Sequence, residues 1–172
     1  MKTKLPDPVS LLCPACGLCC NGVLFGDVEL RAGDDAKRLA ALRLDLFRKG
    51  RHQAFAQPCS CFDGKLCRIY ADRPKRCRTF ECRLLQRTQV NELTTAGALK
   101  AIKAARRQVE VVRQLVRRLG HRDERIPLNR RYAEVMEQPI DLAADDQNQT
   151  FRGQLMRAVE KLSQILERDF LT

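Results

Sequence analysis

Apolar residues recur at intervals of three and four in two stretches of the C-terminal half, a spacing typical of amphipathic helices. The first stretch contains Ile102, Ala105, Val109, Val112, Val116 and Leu119, and Gly120 follows it as a candidate helix end. The second contains Phe151, Leu155, Val159, Leu162, Leu166 and Phe170. Because each stripe can cover the other, we expect a helical hairpin or small bundle within one chain. Dimerisation through a stripe is the alternative.

The N-terminal half has shorter and less regular apolar patterns. Residues 1–12 are predicted to be a tail, and residues 23–30 have the character of a short strand or turn. Asp34 is placed to cap a helix that runs to about Lys49, with Gly50 beyond its end. The apolar stripe of this helix would be Leu39, Leu42, Leu46 and Phe47.

A further short helix is predicted near residues 131–138, with a loop on each side, the second over residues 139–148. The elements together predict a mainly α fold. We expect its N-terminal part to be small and irregular, with few large apolar side chains to stabilise it.

Nine cysteines form two groups in the first half of the chain. The first group is Cys13, Cys16, Cys19 and Cys20, and the second is Cys59, Cys61, Cys67, Cys77 and Cys82. Thiols at this density either form disulfides or bind metal. Disulfides belong to oxidising compartments, and Pro6, Asp7 and Pro8 interrupt any signal peptide at the N-terminus. The odd number would also leave one cysteine unpaired. We therefore expect metal-bound thiolates, which hold the irregular module together, in a cytoplasmic protein.

The spacing of the first group indicates a metal site without deciding the metal. Two residues between cysteines let both sulfurs reach one ion, as in zinc sites. The same repeat occurs in ferredoxin loops that hold a 4Fe–4S cluster. Adjacent side chains diverge, so Cys19 and Cys20 indicate either a second metal or a bridge between two metals. The candidate cofactors are therefore Zn²⁺ or iron, including a 4Fe–4S cluster.

The cysteines and the residues between them resemble the YkgJ-type cysteine-cluster proteins, which have a zinc- or iron-chelating CxxCxxCC domain. The residues that carry the resemblance are Cys13, Cys16, Gly17, Cys19, Cys20, Cys59, Cys67, Ile69, Tyr70, Arg73, Pro74, Cys77, Arg78 and Phe80. Some larger members of the family are described as flagellin lysine N-methylases.

The resemblance implies metal chelation by the cysteine groups. The expected ligands are Cys13, Cys16, Cys19, Cys20, Cys59, Cys67, Cys77 and Cys82. Cys61 has no clear counterpart in the family. We expect a cysteine-cluster domain over residues 13–83 and a basic helical extension over residues 84–172 that packs on it.

Positive charge is concentrated beside and after the second cysteine group. Residues 65–131 contain 19 Lys and Arg against 6 Asp and Glu, and the whole chain has a formal net charge of +11. Arg73 and Arg78 lie among the cysteines and are expected to donate hydrogen bonds to sulfur. The outer face of the first long helix contains Lys100, Lys103, Arg106, Arg107, Arg113 and Arg117.

That face suits an acidic protein or another polyanionic surface. Nucleic acid is a less favoured partner, because no nucleic-acid recognition motif accompanies the charge. A membrane span is not expected, since no run of about 18 apolar residues occurs.

Three classes of function follow. We expect a metal-binding protein whose metal is largely structural and whose basic helical face meets an acidic partner. The alternatives are a metal-dependent protein-modifying enzyme, as the lysine N-methylase description implies, and a thiol-based metal or redox sensor. The residues of a methyl-transfer site do not stand out, because the nine glycines form no GxGxxG motif. His52 and His121 are isolated and are interpreted as solvated surface residues.

Overall fold

The computed structural model describes residues 8–139 and 146–171, and helices dominate this part of the chain. The helices are α1 (Pro8–Cys16), α2 (Ala36–Ala41), α3 (Lys75–Thr79), α4 (Arg83–Gln89), α5 (Thr95–Arg118), α6 (Leu128–Glu137) and α7 (Asp146–Asp169). The strands are β1 (Asp27–Glu29), β2 (Leu46–Lys49) and β3 (His52–Ala56), and a 3₁₀ turn covers Tyr70–Asp72. The strands form one antiparallel sheet in the order β1–β3–β2. The predicted mainly α fold is confirmed.

The two long helices, α5 and α7, pack against each other at the centre of the larger core. The inward stripe of α5 consists of Ile102, Ala105, Val109, Val112 and Val116, all of them buried. The facing residues of the C-terminal segment are Leu155, Leu162, Leu166 and Phe170. The buried Gln108 side chain donates to Ala158 O at 2.8 Å, so its amide is satisfied within the interface. The predicted helix pair within the chain is confirmed.

Hydrogen bonds close both ends of α5. The Thr94 hydroxyl accepts a hydrogen bond from Gly97 N at 3.1 Å, which satisfies one of the donors left over at the start of the helix. At the other end Gly120 has a φ of 97°, a left-handed conformation that costs glycine little. His121 N then donates to Val116 O at 3.1 Å. The predicted end of this helix at Gly120 is confirmed.

α6 is the predicted short helix, and it begins at Leu128 rather than near Arg131. Its N-terminus is fixed by a hydrogen bond from Leu128 N to Gly22 O at 2.9 Å. In the predicted loop over residues 139–148, residues 140–145 lie outside the described part of the chain. α7 already begins at Asp146, within the span that was predicted to be loop.

The prediction of an N-terminal tail is wrong for residues 8–12, which belong to α1. Leu12 is 3% exposed and joins the larger core, and Val9 and Cys16 pack beside it. The spacing of three and four residues places these side chains on one face of the helix. Pro8 suits the first helical position, because the N–H that it lacks would have no helical partner there. Residues 1–7 lie outside the described part of the chain.

The predicted helix from Asp34 to Lys49 is wrong beyond Ala41, where α2 ends. The residue that caps α2 is Asp35, whose side chain accepts from Arg38 N at 3.0 Å. Arg43 then has a φ of 66°, which α-helix does not allow.

Strand β2 takes the place of the second half of that helix. Gly50, with a φ of 60°, is the first residue of the two-residue turn between β2 and β3, where a positive φ matches the twist of a hairpin. Leu46 and Phe47 consequently point to opposite faces of a strand instead of sharing a helical stripe.

The molecule has a second, smaller core beside the sheet. Its buried residues are Leu39, Leu44, Phe55, Cys61 and Ile69. The larger core combines Leu12 and Leu18 with residues of α4 to α7, so α1 and the first cysteine turn pack on the C-terminal helices. The division into domains over residues 13–83 and 84–172 stays a prediction.

Replacing Leu155 with Ala should lower the free energy of unfolding by about 2–5 kcal/mol, because the change leaves a cavity between α5 and α7. Leu155 is fully buried, whereas its neighbour Met156 is 54% exposed. Met156→Ala is therefore the matched control, with an expected change below about 0.5 kcal/mol. Urea unfolding followed by circular dichroism measures both variants, and equal losses would contradict the packing of α7.

Candidate metal centre

α1 and the turn after it place the first cysteine group. Cys13 and Cys16 lie in the last turns of α1, and Cys19 and Cys20 lie in the turn that follows. Gly17 has a φ of 67°, and a Cβ at this position would lie 2.9 Å from the ring of Phe62. The positive φ favours glycine here, and any larger residue would also have to displace the Phe62 ring.

Two arginines of α5 hold the same turn from outside. Arg106 Nη1 donates to Ala15 O at 2.7 Å, and Arg113 Nη2 lies 3.4 Å from Asn21 O. These carbonyls flank the segment from Cys16 to Cys20. The helical half of the chain therefore positions the first cysteine group through the main chain. Sequence reasoning missed this role, because the pattern of charges alone does not distinguish an exposed arginine from one bound to a carbonyl.

Short elements after β3 place the second cysteine group. Its members are Cys59 and Cys61 in the loop after β3, Cys67 in the next loop, Cys77 in α3 and Cys82 just before α4. The loop between Cys61 and Cys67 is folded back by a bridge between Phe62 and Cys67. The Asp63 carboxylate stabilises this turn by accepting from Lys65 N and Leu66 N at 2.9 and 2.7 Å.

Both cysteine groups meet at one cavity of about 430 Å³. The cysteines that line it are Cys13, Cys16, Cys19, Cys20, Cys67, Cys77 and Cys82. Cys59 N donates to Cys20 O at 2.9 Å, so the eighth predicted ligand adjoins the first group directly. The structure thus brings seven of the eight predicted ligands to one cavity and leaves the eighth beside them.

Cys16 lies among three other thiols from the two groups. Burial raises the pKa of Cys16 to about 12, and the charges of Cys19, Cys82 and Cys13 act in the same direction. Burial also raises the pKa of Cys82, on which Cys19 acts as well. Cys13, Cys19 and Cys82 thus all act on Cys16, and we call these four thiols set A.

A second set surrounds Cys77. Burial raises the pKa of Cys77 to about 12, with contributions from Cys59, Cys19 and Cys67. The pKa of Cys20 is raised first by its hydrogen bond to Cys19, then by burial, and also by the charges of Cys59 and Cys77. We call Cys20, Cys59, Cys67 and Cys77 set B. Cys19 influences both sets.

Arg73 is the cation that favours the thiolate form of several of these cysteines. Burial raises the pKa of Cys67 and Cys77, and the charge of Arg73 opposes this effect. The hydrogen bond from Cys20 lowers the pKa of Cys19 to about 7, and Arg73 lowers it as well. The Arg73 guanidinium is fixed in place 3.6 Å over the Tyr70 ring, and its Nε donates to Tyr70 O at 3.0 Å.

Cys61 adjoins Cys59 and Cys67 of set B but lies outside the cavity. It is fully buried in the smaller core beside Phe55 and Ile69, and it does not line the cavity. Its Sγ lies 3.6 Å from Leu42 O, which it contacts as a weak donor. Cys61 therefore acts as a small core residue, as its omission from the predicted ligands implies.

Tyr70 is 49% exposed at the cavity. Two other residues differ from what the sequence predicted. The side chain of His121 is only 12% exposed, and its Nε2 lies 2.8 Å from Glu134 Oε2, so it is no solvated surface residue. Arg117 is bound to Glu110 at 3.0 Å, so it does not stand free on the outer face of α5.

The cysteine thiols suit a thiophilic metal, but in their present orientations they do not surround a metal ion. Thiolates are preferred ligands of zinc and of iron–sulfur clusters. In residues 8–139 and 146–171, no three His, Cys, Asp or Glu side chains are arranged so that they could hold an ion together. Within the same ranges no disulfide links the cysteines. Metal binding would therefore require the cysteine side chains to rotate toward a common point, and the cavity leaves space for this rotation.

Comparison with known proteins bears on the same residues. Residues 12–99, which cover slightly more than half of the chain and all nine cysteines, match the CxxCxxCC family model, whose description is "Putative zinc- or iron-chelating domain". The chain belongs to the CxxCxxCC family. No curated protein and no solved structure matched the chain.

Membership of the CxxCxxCC family confirms the cysteine-cluster family that the sequence indicated. The family description includes both zinc and iron, so the metal is not decided by it. The family description mentions neither the YkgJ name nor lysine methylation. The matched segment ends at residue 99, near the start of α5, so most of the helical extension follows the family domain. Of the helices in the described part of the chain, none has the length and apolar character needed to cross a membrane.

Replacing Arg106 with Ala should weaken metal retention by about tenfold, because groups that orient ligands typically change metal affinity by about ten- to a hundredfold. The variant removes the hydrogen bond to Ala15 O, next to Cys16. Arg107→Ala is the matched control, since Arg107 is the exposed neighbour on the same helix and its side chain makes no hydrogen bond within the described residues. Competition with a chromophoric chelator measures the affinities. Equal retention in the two variants would show that Arg106 does not position the site.

Proposed function

We propose that this CxxCxxCC protein binds two metal centres, one in each set of four cysteines. The observation that supports this is the meeting of both cysteine groups at one cavity, where the thiols divide into sets A and B. Four thiolates complete the coordination of a zinc ion or of a 4Fe–4S cluster. Cys19 and Cys20 then serve different centres, which resolves the difficulty that adjacent cysteines pose for a single ion.

The role of the metal is largely structural. The region that contains the cysteines has only short elements and a second core of five buried residues. Thiolate–metal bonds between residues far apart in the chain would hold this region together, and structural zinc sites contribute on the order of 10 kcal/mol at neutral pH. Reduced thiols also suit the predicted cytoplasmic location.

Protein purified without oxygen should contain about two zinc ions per chain, or about eight iron atoms as two 4Fe–4S clusters. Cys77→Ser should lose roughly half of this metal, because it removes one ligand of set B and leaves set A complete. Cys61→Ser should keep the full content, since Cys61 lies in the core. Elemental analysis together with a visible absorption spectrum measures both quantities. Full metal content in Cys77→Ser would contradict the assignment of set B.

Removal of the metal by a chelator under reducing conditions should unfold the cysteine region and leave the helix pair α5 and α7 largely intact. The helix pair has its own apolar interface, whereas the smaller core in the cysteine region has only five buried residues. Hydrogen exchange resolved by mass spectrometry should show faster exchange in residues 13–34 and 57–82 than in α5. Unchanged exchange in the cysteine region after complete removal would show that the metal is not structural.

The basic face of α5 belongs to this proposal as a docking surface for an acidic protein or another polyanionic partner. Lys100, Lys103 and Arg107 are exposed on the helix, whereas Arg106 and Arg113 are bound to the cysteine turn. The free part of the face is therefore smaller than the sequence predicted. Binding through it should weaken steeply as salt is added.

A metal-dependent enzyme is the second candidate function, and the cavity beside the cysteines is the observation that favours it. A purely structural centre is closed by protein ligands, whereas a catalytic centre keeps an open position next to space for a substrate. Cobalt substitution discriminates the two. An absorption spectrum that is unchanged by added azide indicates closed centres, and a shifted spectrum indicates an open one.

A further inference from the structure

The cavity offers more space than two zinc ions need. Its volume of about 430 Å³ lies within the range of about 300–1,000 Å³ that is typical of small-molecule sites. Four aromatic rings line it beside the cysteines, namely Phe25, Phe62, Tyr70 and Phe80. Phe25 and Phe80 contact each other edge to face, with ring centroids 5.0 Å apart. An apolar group placed against these rings would be removed from water.

The same cavity is bordered by more free cations than free carboxylates. Its cations are Arg31, Lys65, Arg73, Arg76 and Arg78, and its carboxylates are Asp27, Glu29 and Glu81. Lys49 already neutralises two of the carboxylates, with its Nζ 2.8 Å from Asp27 and 3.7 Å from Glu29. The net charge of the side chains that line the cavity is therefore positive.

Arg73 compensates the negative charge of cysteine thiolates, whereas Arg76 and Arg78 have no such role. Arg73 acts on the pKa of Cys19, Cys67 and Cys77, whereas neither Arg76 nor Arg78 is among the main influences on any of the shifted thiols. Within the described residues the side chains of Arg76 and Arg78 also make no hydrogen bond or ion pair. Their guanidinium groups are thus available to a ligand.

We propose that this cavity binds a small organic carboxylate with an aromatic body, held by the guanidinium groups of α3. The aromatic body lies against the phenylalanine and tyrosine rings, and the carboxylate pairs with Arg76 or Arg78. Guanidinium groups suit this role because their planar donors match a carboxylate in geometry and charge. The inference rests on the proposed function, because it takes the cysteines that line the cavity to be bound to metal. It adds an organic ligand to the same site.

Calorimetric titration of the full-length, metal-loaded protein with 2-naphthoate and with its neutral analogue 2-naphthamide tests the proposal. The two probes have the same aromatic body and differ in charge. Naphthoate should bind about tenfold more tightly than the amide, since a hydrogen bond to a charged group is worth that much or more. The preference should shrink as salt is raised from low to physiological concentration.

The double variant Arg76→Gln/Arg78→Gln should lose this preference while its affinity for the amide stays the same. Arg51→Gln/Arg122→Gln is the matched control: it removes the same charge from two exposed arginines outside the cavity, and it should keep the preference. Equal binding of the two probes to the wild-type protein, no binding of either, or an unchanged preference in the α3 variant would overturn the proposal.

Metal content is measured in every sample of this titration, which separates the two claims. Stoichiometric metal without a preference for naphthoate contradicts the ligand and leaves the metal centres in place. A protein that retains no metal contradicts the proposed metal centres, and titration of that protein still decides whether the cavity prefers the anion.

Discussion

The crowding of half-buried cysteines at one cavity is the constraint on which the N-terminal half of this protein depends. Burial raises the pKa of most of these thiols, because a thiolate loses its hydration there. Several buried thiolates would also repel one another. A bound cation removes both difficulties, since it compensates the charge and replaces the lost water with direct bonds. Metal binding would therefore stabilise the fold around the cysteines.

The helical half serves this arrangement as a frame. Leu12 and Leu18 are buried among the side chains of α4 to α7, which fixes the segments on both sides of Cys16. Arg106 binds the carbonyl of Ala15 within the first cysteine group, and Leu128 N binds the carbonyl of Gly22 just after it. Some basic side chains of α5 therefore bind the cysteine turn. Only the remaining basic side chains of the helix are left to contact a partner.

The spacing of apolar residues predicted the structure correctly where a whole helix packs in the core. It failed where the backbone conformation of a few residues ends a helix. The stripe from Ile102 to Leu119 predicted α5 correctly, because buried residues recur along the helix from Ala98 to Val116. The helix predicted from Asp34 to Lys49 ends early, since Arg43 adopts a positive φ and the chain pairs with β3 instead. Spacing indicated the cysteine cluster. The cavity and the aromatic rings around it depend on distant segments, and no local pattern encodes their meeting.

X-ray absorption at the metal edge of protein purified without oxygen tests whether the cysteines are the metal ligands. We expect a first coordination shell of about four sulfur atoms at roughly 2.3 Å around each metal. The spectrum should be unchanged in Cys61→Ser, because that thiol lies in the smaller core. A shell dominated by nitrogen or oxygen would contradict the assignment of the cysteines as ligands, and so would a protein in which no metal is bound.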